Sequence, residues 1–468
     1  MLEMTTLDGT SARPSAAQIA ALRAALTGDV LVGGDEGYDI ARKVWNGNVD
    51  RRPGLIVRCT NAADVQRAVN FARDHALLTS VRGGGHSAPG YGVNDGGLVI
   101  DLTRMRGISV DPVARTARAD GGVLWLEFDK ATQVHGLATT GGTVSNTGIG
   151  GLTLGGGIGW LCGLHGATVD NLISAQVVTA DGQLRTASAN EHSDLFWAIR
   201  GGGGNFGVAT QFEYRLHPVG QVLGGMVLHP LRGAREALRF YRDFCAGLPD
   251  EAEANCGLLT SPDGMPMLAL LLGYNGSIEA GERVLAPART FGSPLADLVQ
   301  PMSYGDRQVL LDAPNAVHGL HRYWRSAFTE QLSDPLIEVL VNGAGHFSSP
   351  QSALLLFYLH GAICRVDPAQ TAFSVRKPQW DVDVIGQWTD GAQSGHHIAW
   401  LREIWSAMEP QLNGATYINH AAVDDKPEAV RASFGANYPR LRAIKAKYDP
   451  GNLFRVNANI QPAGTRPD

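Results

Sequence analysis

The sequence predicts an α+β protein in two large parts, and three observations carry the prediction. At 468 residues the chain exceeds what one ordinary hydrophobic core accommodates, and its length allows roughly two or three domains. Helical and strand-like periodicities occur in mixed order rather than in regular βα alternation. The texture also changes near residue 219, where glycine-rich loops give way to long apolar stretches such as "MPMLALLLGYNG" and "SALLLFYLHGAICRV". Residues 1–218, with a core from about 49, and residues 219–410 are therefore assigned to different domains.

The first element is "SAAQIAALRAALTG". Ser15 and Gln18 have capping-box spacing, Ile19, Leu22 and Leu26 share one face, and Gly28 stops the helix. "GLIVRCT" reads as a short apolar strand, Thr60 or Asn61 caps a helix carrying Val65, Ala68, Val69 and Ala72, and "ALLTSV" returns as a strand. "GGLVIDL" and "ISVDPVARTARA" read as further strands, "LWLEFDKATQVHG" as a helix, and "AQVVTADGQLRTA" as a hairpin turning on Asp181-Gly182. "SDLFWAIR", capped by Ser193, is a helix, and "VATQFEYRL" is the strand after it. Beyond residue 219, "WDVDVIGQW" has period two, and "YPRLRAIKAKYDPGNLF" puts Leu441, Ile444 and Tyr448 on one helical face before Asp449-Pro450-Gly451 ends it.

Composition narrows the function. With 44% hydrophobic and 18% charged residues the balance is that of a globular protein. A net charge of -6 without basic runs argues against nucleic acid or a membrane surface and for a small-molecule partner. "MLEMTTLDGTSARPS" lacks the cationic start and apolar core of a signal peptide, and no apolar stretch reaches a membrane span, so a cytoplasmic location is expected. Cys59, Cys162, Cys245, Cys256 and Cys364 are scattered with no CxxC, which predicts free buried thiols rather than disulfides or zinc.

The 58 glycines concentrate in residues 83–97, 141–166 and 201–207. "GGGNFG" matches a dinucleotide fingerprint through Gly202, Gly204 and Gly207, but a helix precedes it and a strand follows, the reverse of the required order. It reads as a helix stop and tight return. "TTGGTVSNTGIGGLTLGGGIGWL", residues 139–161, holds nine glycines, which either free backbone amides for a pyrophosphate or let backbones pack closely. Paired with "VRGGGHSAPG" at 81–90, it fits two loops gripping one elongated cofactor such as a flavin dinucleotide.

His86, at the tip of that first loop, has three readings: a structural imidazole, a metal ligand, or a nucleophile bonded covalently to a flavin ring edge. The metal reading lacks a local carboxylate, Cys or second His, and His396-His397 would need carboxylate partners of its own. No metal is assigned.

Together "RGGGHS", "GYG" and "GGLVIDLTRM", followed by the second glycine loop, resemble the berberine bridge enzyme-like flavoprotein oxidases of the vanillyl alcohol oxidase and p-cresol methylhydroxylase superfamily. The resemblance continues through "RRPGLIVRCTNAADV", "DLFWAIRGGGGNFGVAT", "TYINH" and "YDPGNLFRVNANIQP", and is nearest the monocovalent hydroxynicotine oxidase type. It implies a two-lobed FAD-binding domain of the p-cresol methylhydroxylase type, a substrate domain of antiparallel sheet backed by helices, and a carboxyl-terminal segment, 411–468, that returns to the FAD domain. By position, His86 would form the bond to FAD, with Arg82, Gly83, Gly84, Gly85, Ser87 and Tyr91 lining the cofactor. The second loop would add Gly142, Thr143, Ser145, Gly148, Gly150, Gly151, Thr153 and Gly155, and the third Gly207 and Val208. Many relatives add a cysteinyl bond from a "CPTVG" motif. Here Val144 stands in its place within "VSNTG" and Cys162 is misplaced for it, so attachment through His86 only is expected.

The implied reaction removes a hydride from a C–O or C–N carbon of a small alcohol, amine, alkaloid or polyketide-like metabolite of bacterial secondary metabolism, with O2 reoxidising the flavin to give H2O2. The alternatives are a dehydrogenase with another acceptor or a carbohydrate oxidase. A base must take the heteroatom's proton. The family places the tyrosine of "TYINH" in the active site, and strand alternation would turn Tyr417 and Asn419 to one face and Ile418 and His420 to the other. Tyr417 is the first candidate base if a donor or cation lowers its pKa; otherwise it orients substrate, or is a core aromatic. Asn419, His420, and Tyr304 in "PMSYGDRQ" are the other catalytic candidates. Asn457 and Asn459 in "RVNANI" would hydrogen-bond the flavin from a short strand, and Trp380 and Tyr358 are candidate pocket walls. A monomer or homodimer is expected.

Overall fold

A computed structural model describes residues 2–464; residues 1 and 465–468, at the ends of the first and last assigned segments, lie outside the described residues. The capping box forms: Ser15 Oγ accepts from Gln18 N, and the Gln18 side chain accepts from Ser15 N, at the start of helix Ala16–Ala25. This helix packs on Ala62–Asp74, which Asn61 rather than Thr60 caps by accepting from Asp64 N. Beneath them runs a four-stranded sheet in the order Asp29–Leu31, Leu55–Arg58, Leu98–Asp101, Thr79–Arg82, the last three parallel. Parallel strands need a crossover connection, and Ala62–Asp74 supplies it.

Five antiparallel strands form a second sheet, ordered Leu184–Ser188, Leu172–Val178, Val208–Arg215, Thr116–Asp120, Ile108–Asp111. Its hairpin turns where expected, with Gly182 at φ +77°. One detail differs. Helix Ser193–Ile199 starts from His192 at φ +44°, not from Ser193, because a tight turn closed by Ser188 Oγ delivers the chain one residue early.

The carboxyl-terminal helix Tyr438–Tyr448 sends Leu441, Ile444 and Tyr448 into the core of this second sheet, and Leu453 and Phe454 enter the core of the first. Buried Lys445 pins the tail: its Nζ donates to Asp449 Oδ2 at 2.7 Å and to the carbonyls of Asn205 and Phe454. Asn205 lies in the "GGGNFG" turn, which sits between its helix and strand as the sequence order requires.

The third sheet is antiparallel with eight strands. Its main path runs Ala296–Asp297, Gln221–Pro230, Pro266–Tyr274, Ala252–Thr260, Ala353–Leu359, Gln379–Trp388, His321–Thr329. Four helices, Ala234–Cys245, Ile278–Thr290, Asp334–Ala344 and Ser394–Met408, cover one face. Period-two alternation decides which side chains go under them: Leu354, Leu356, Trp380, Val382 and Val384 do. Tyr358 pairs with Trp380 and packs against the same core, so neither aromatic forms a pocket wall. The alternate residues of these strands face the other two sheets. Trp45 joins the parts there: its Nε1 donates to Asn315 O at 2.6 Å, and the Arg322 guanidinium lies 3.8 Å over its ring. Among the described residues no helix is long and apolar enough to cross a membrane.

Candidate active site

Between the three sheets lies a cavity, open to solvent, of about 300 Å³. At one end its walls are almost bare backbone. The two glycine loops meet there: a Cβ on Gly84 would lie 2.4 Å from Gly148 N, and one on Gly148 would lie 2.3 Å from Gly84 N. Only glycine at both positions permits that approach. Gly83, Gly84, Gly85, Ser87 and Tyr91 from the first loop, Gly142, Thr143, Gly148, Gly150 and Gly151 from the second, and Gly207 from the third all line the cavity.

Gly85, at φ +71°, turns the chain so that His86 enters this space. Its imidazole stacks on Trp45 at 4.9 Å and meets the edge of His318 at 5.7 Å. Burial, helped by the charges of His318 and Arg322, pushes its pKa down to about 3, so the ring is neutral at ordinary pH. Its Nε2 is buried without a partner among the described residues. Val144 stands on the wall, and among the described residues no cysteine lines the cavity; Cys162 packs in a separate core with Phe328 and Leu359.

The opposite end is made of side chains. Trp324, Leu355, Phe357 and Ile385 come from the open face of the eight-stranded sheet. Asp381 and Asp383 lie on that same face, opposite Phe357 and Leu355 in register. "TYINH" is not a strand: His420 N bonds back to Tyr417 O at 2.7 Å, forming a tight turn at Ile418–His420 that brings Tyr417, Asn419 and His420 to the cavity together. The Tyr417 hydroxyl oxygen accepts from Gly157 N, Ile158 N and Asn419 Nδ2 at 2.9, 3.2 and 2.8 Å. Burial nonetheless holds its pKa above the ordinary phenol value, since those donors offset only part of the desolvation.

His420 turns Nδ1 toward both aspartates, 3.2 Å from Asp381 Oδ2 and 3.1 Å from Asp383 Oδ1. Trp324 donates Nε1 to Asp383 Oδ1 at 2.8 Å and lays its ring 4.5 Å from the imidazole. Burial alone would lower the His420 pKa, but the two carboxylates outweigh it and raise it to about 10. Burial, then repulsion from Asp383, raises Asp381 to about 7. The sequence names His420 but misses both aspartates; their only signal is the Asp-Val-Asp alternation of "WDVDV", which identifies a strand and not the face it turns inward. Trp45 and Trp324 carried no sequence signal.

Several predicted residues lie elsewhere. Tyr304 is fully buried beside Trp160 and Ala138, off the cavity wall, because its short helix packs its ring into a core. Ser145 spends N and Oγ on Asp312, at 2.8 and 2.5 Å. Thr153 Oγ1 bonds Tyr214 Oη, Gly155 makes room for the Asn419 amide, and Val208 sits in the first sheet's core. Arg82 Nη1 donates to Ala41 O behind the wall. "RVNANI" is irregular rather than a strand, since Asn457 Nδ2 turns back to Phe454 O and Asn205 Nδ2 takes Ala458 O. Asn457 lines the cavity and Asn459 does not, though the amide oxygens of both are buried and unpartnered. His396 and His397 lie on helix Ser394–Met408, away from the cavity.

Bare-backbone walls beside the orphaned His86 Nε2 and Asn457 Oδ1 fit a flavin dinucleotide, which brings phosphates for backbone amides and a polar ring system for the side chains. Comparison with known proteins gives the same cofactor. Residues 53–188 match the FAD binding domain family model, and residues 416–461 match the model for berberine and berberine-like proteins. An FAD-linked oxidoreductase of Dictyostelium discoideum is 31% identical over 92% of this chain and 93% of its own length. (R)-6-hydroxynicotine oxidase of Paenarthrobacter nicotinovorans is 30% identical over 94% of this chain and 98% of its own. The crystal structure of 6-hydroxy-D-nicotine oxidase from Arthrobacter nicotinovorans superimposes with a TM-score of 0.85 at 29% identity, covering 93% of this chain and 98% of that one. The chain therefore belongs to the berberine bridge enzyme-like FAD-linked oxidoreductases, with FAD as its cofactor.

Proposed function

We propose that the protein is an oxidase of a small metabolite whose FAD is attached through His86 alone. The observation that carries this reading is the neutral imidazole with an unpartnered, buried Nε2 at the glycine-lined end of the cavity, whose wall includes Val144 and, among the described residues, no cysteine. A neutral ring nitrogen is the nucleophilic form. The nicotine-oxidising relatives support a C–N or C–O carbon as the reacting centre.

When bound, FAD supplies the two-electron sink for a hydride leaving such a carbon and the route by which those electrons reach O2 as hydrogen peroxide. The protein's own part is the proton. The Asp381, Asp383 and His420 trio stands behind the substrate end as one coupled group, and it accepts the proton released from the substrate's heteroatom as a unit. Tyr417 positions rather than abstracts: its oxygen is already filled by three N–H donors, and its ring edge meets His420 at 4.8 Å.

The test is acid precipitation of the purified protein. Yellow colour should stay with the pellet, and His86→Ala should release it to the supernatant while retaining bound FAD before acid treatment. Acid-stable flavin in His86→Ala, or a colourless wild-type protein, would overturn the assignment. Peroxide release on turnover tests the acceptor.

A further inference from the structure

Granting the oxidase reading above, the substrate end narrows what the cavity accepts. Most of the polar groups beside the sheet face are already committed within the protein. Trp324 gives its indole N–H to Asp383, and Tyr417 oxygen takes three N–H groups. Asn419 donates to Leu152 O and to Tyr417, and Asn315 donates its amide to Leu311 O. The intervening walls are Leu311, Leu355, Phe357 and Ile385. His420 is different: with Nδ1 turned to the carboxylates, its side chain keeps 19% exposure, and the ring lines the cavity.

A compound with a hydroxyl on nearly every carbon would give up water against these walls and find too few replacement partners, a costly exchange. A compound with one polar group loses little and stacks its ring among Trp45, Trp324 and Phe357. We propose that the substrate is an apolar, ring-bearing molecule with a single hydroxyl or amino group on its reacting carbon, that His420 is the residue recognising that group, and that oligosaccharides are rejected. The geometry of the trio agrees, since the two carboxylates hold Nδ1 at 3.2 and 3.1 Å and leave the rest of the imidazole edge to share a proton with either heteroatom.

The experiment titrates the anaerobic holoenzyme with benzylamine, benzyl alcohol and cellobiose, following the flavin visible band and the fluorescence of the wall tryptophans. Benzylamine or benzyl alcohol should produce a saturating change and cellobiose none; which of the two aryl probes binds tells amine from alcohol. His420→Gln should weaken aryl binding by about tenfold, the loss of one well-placed hydrogen bond. Because that change disturbs two buried aspartates, Asp381→Asn/Asp383→Asn/His420→Leu is titrated beside it. Saturating cellobiose binding, absent aryl binding, or aryl affinity within about twofold of wild type in both variants would overturn the proposal. Acid-stable flavin and peroxide release, recorded on the same preparations, test the His86 attachment and the oxidase reading separately from these binding outcomes.

Discussion

His86 and His420 are two half-buried imidazoles on the walls of one cavity, and their protonation is driven in opposite directions: His86 down to about 3 and His420 up to about 10. Burial pushes both downward. What separates them is company. Around His86 the chain removes side chains, leaving glycines, an aromatic stack and no carboxylate within ion-pair distance. Behind His420 it buries two carboxylates at 3.1 and 3.2 Å. One end of the cavity is thus shaped by subtraction and suits a neutral nucleophile, while the other is shaped by charge and suits proton traffic.

If the flavin end works by absence, a small added group should break it most. Gly148→Val places methyl groups where even a Cβ is 2.3 Å from Gly84 N, so the loops must separate. Overpacking typically costs about 1–3 kcal/mol, and more against rigid backbone. The expected outcome is a fall of at least about tenfold in flavin per protein together with a lower melting temperature. Full flavin occupancy would show that the two loops do not need their contact.

The charged end should fail next, and with a pH signature. Asp381 loses its proton above about 7, which leaves the trio able to accept one, and His420 loses its own above about 10. Anaerobic flavin reduction in the wild type should therefore rise as pH passes 7 and fall toward 10. Asp381→Asn should lower the rate by about 10²-fold, within the range of a positioned proton acceptor, and abolish the lower limb. A lower limb that persists in the variant would assign it to another group.

The same contrast explains what could be read in advance. The flavin end was legible because its signals are local: "RGGGHS", the nine-glycine stretch and "YDPGNLF" carry their meaning in composition and short spacing. Even there the assignment blurred at single residues, since Ser145 and Thr153 resemble phosphate ligands in a motif but spend their hydroxyls on Asp312 and Tyr214. The charged end was mostly illegible. Asp381 and Asp383 matter only because the register of Gln379–Trp388 against Ala353–Leu359 turns odd positions inward, a fact of pairing between segments over twenty residues apart. The same parity sends Trp380 and Tyr358, the attractive aromatics, under the helices. For "TYINH" the residues were identified and their conformation was not, because one backbone bond from His420 N to Tyr417 O replaces alternation with a turn.

Tyr417 lies between the two ends and gives the smallest and most discriminating effect. Tyr417→Phe removes the acceptor of three N–H groups, two of them the backbone amides of Gly157 and Ile158, and buried donors left unpaired cost about 1–3 kcal/mol each. A positioning residue should therefore register mainly as stability: a melting temperature lower by a few degrees, at about 1 °C per kcal/mol for a chain of this length, with flavin retained and reduction slowed less than about tenfold, well short of the loss expected for the proton acceptor itself. The reverse pattern, an unchanged melting temperature with reduction slowed by about 10²-fold or more, would make the Tyr417 oxygen the proton acceptor and demote the trio to a structural ion pair. The two outcomes differ in which quantity moves, so one pair of measurements on one variant decides between a base held in an N–H cradle and a base held by two buried aspartates.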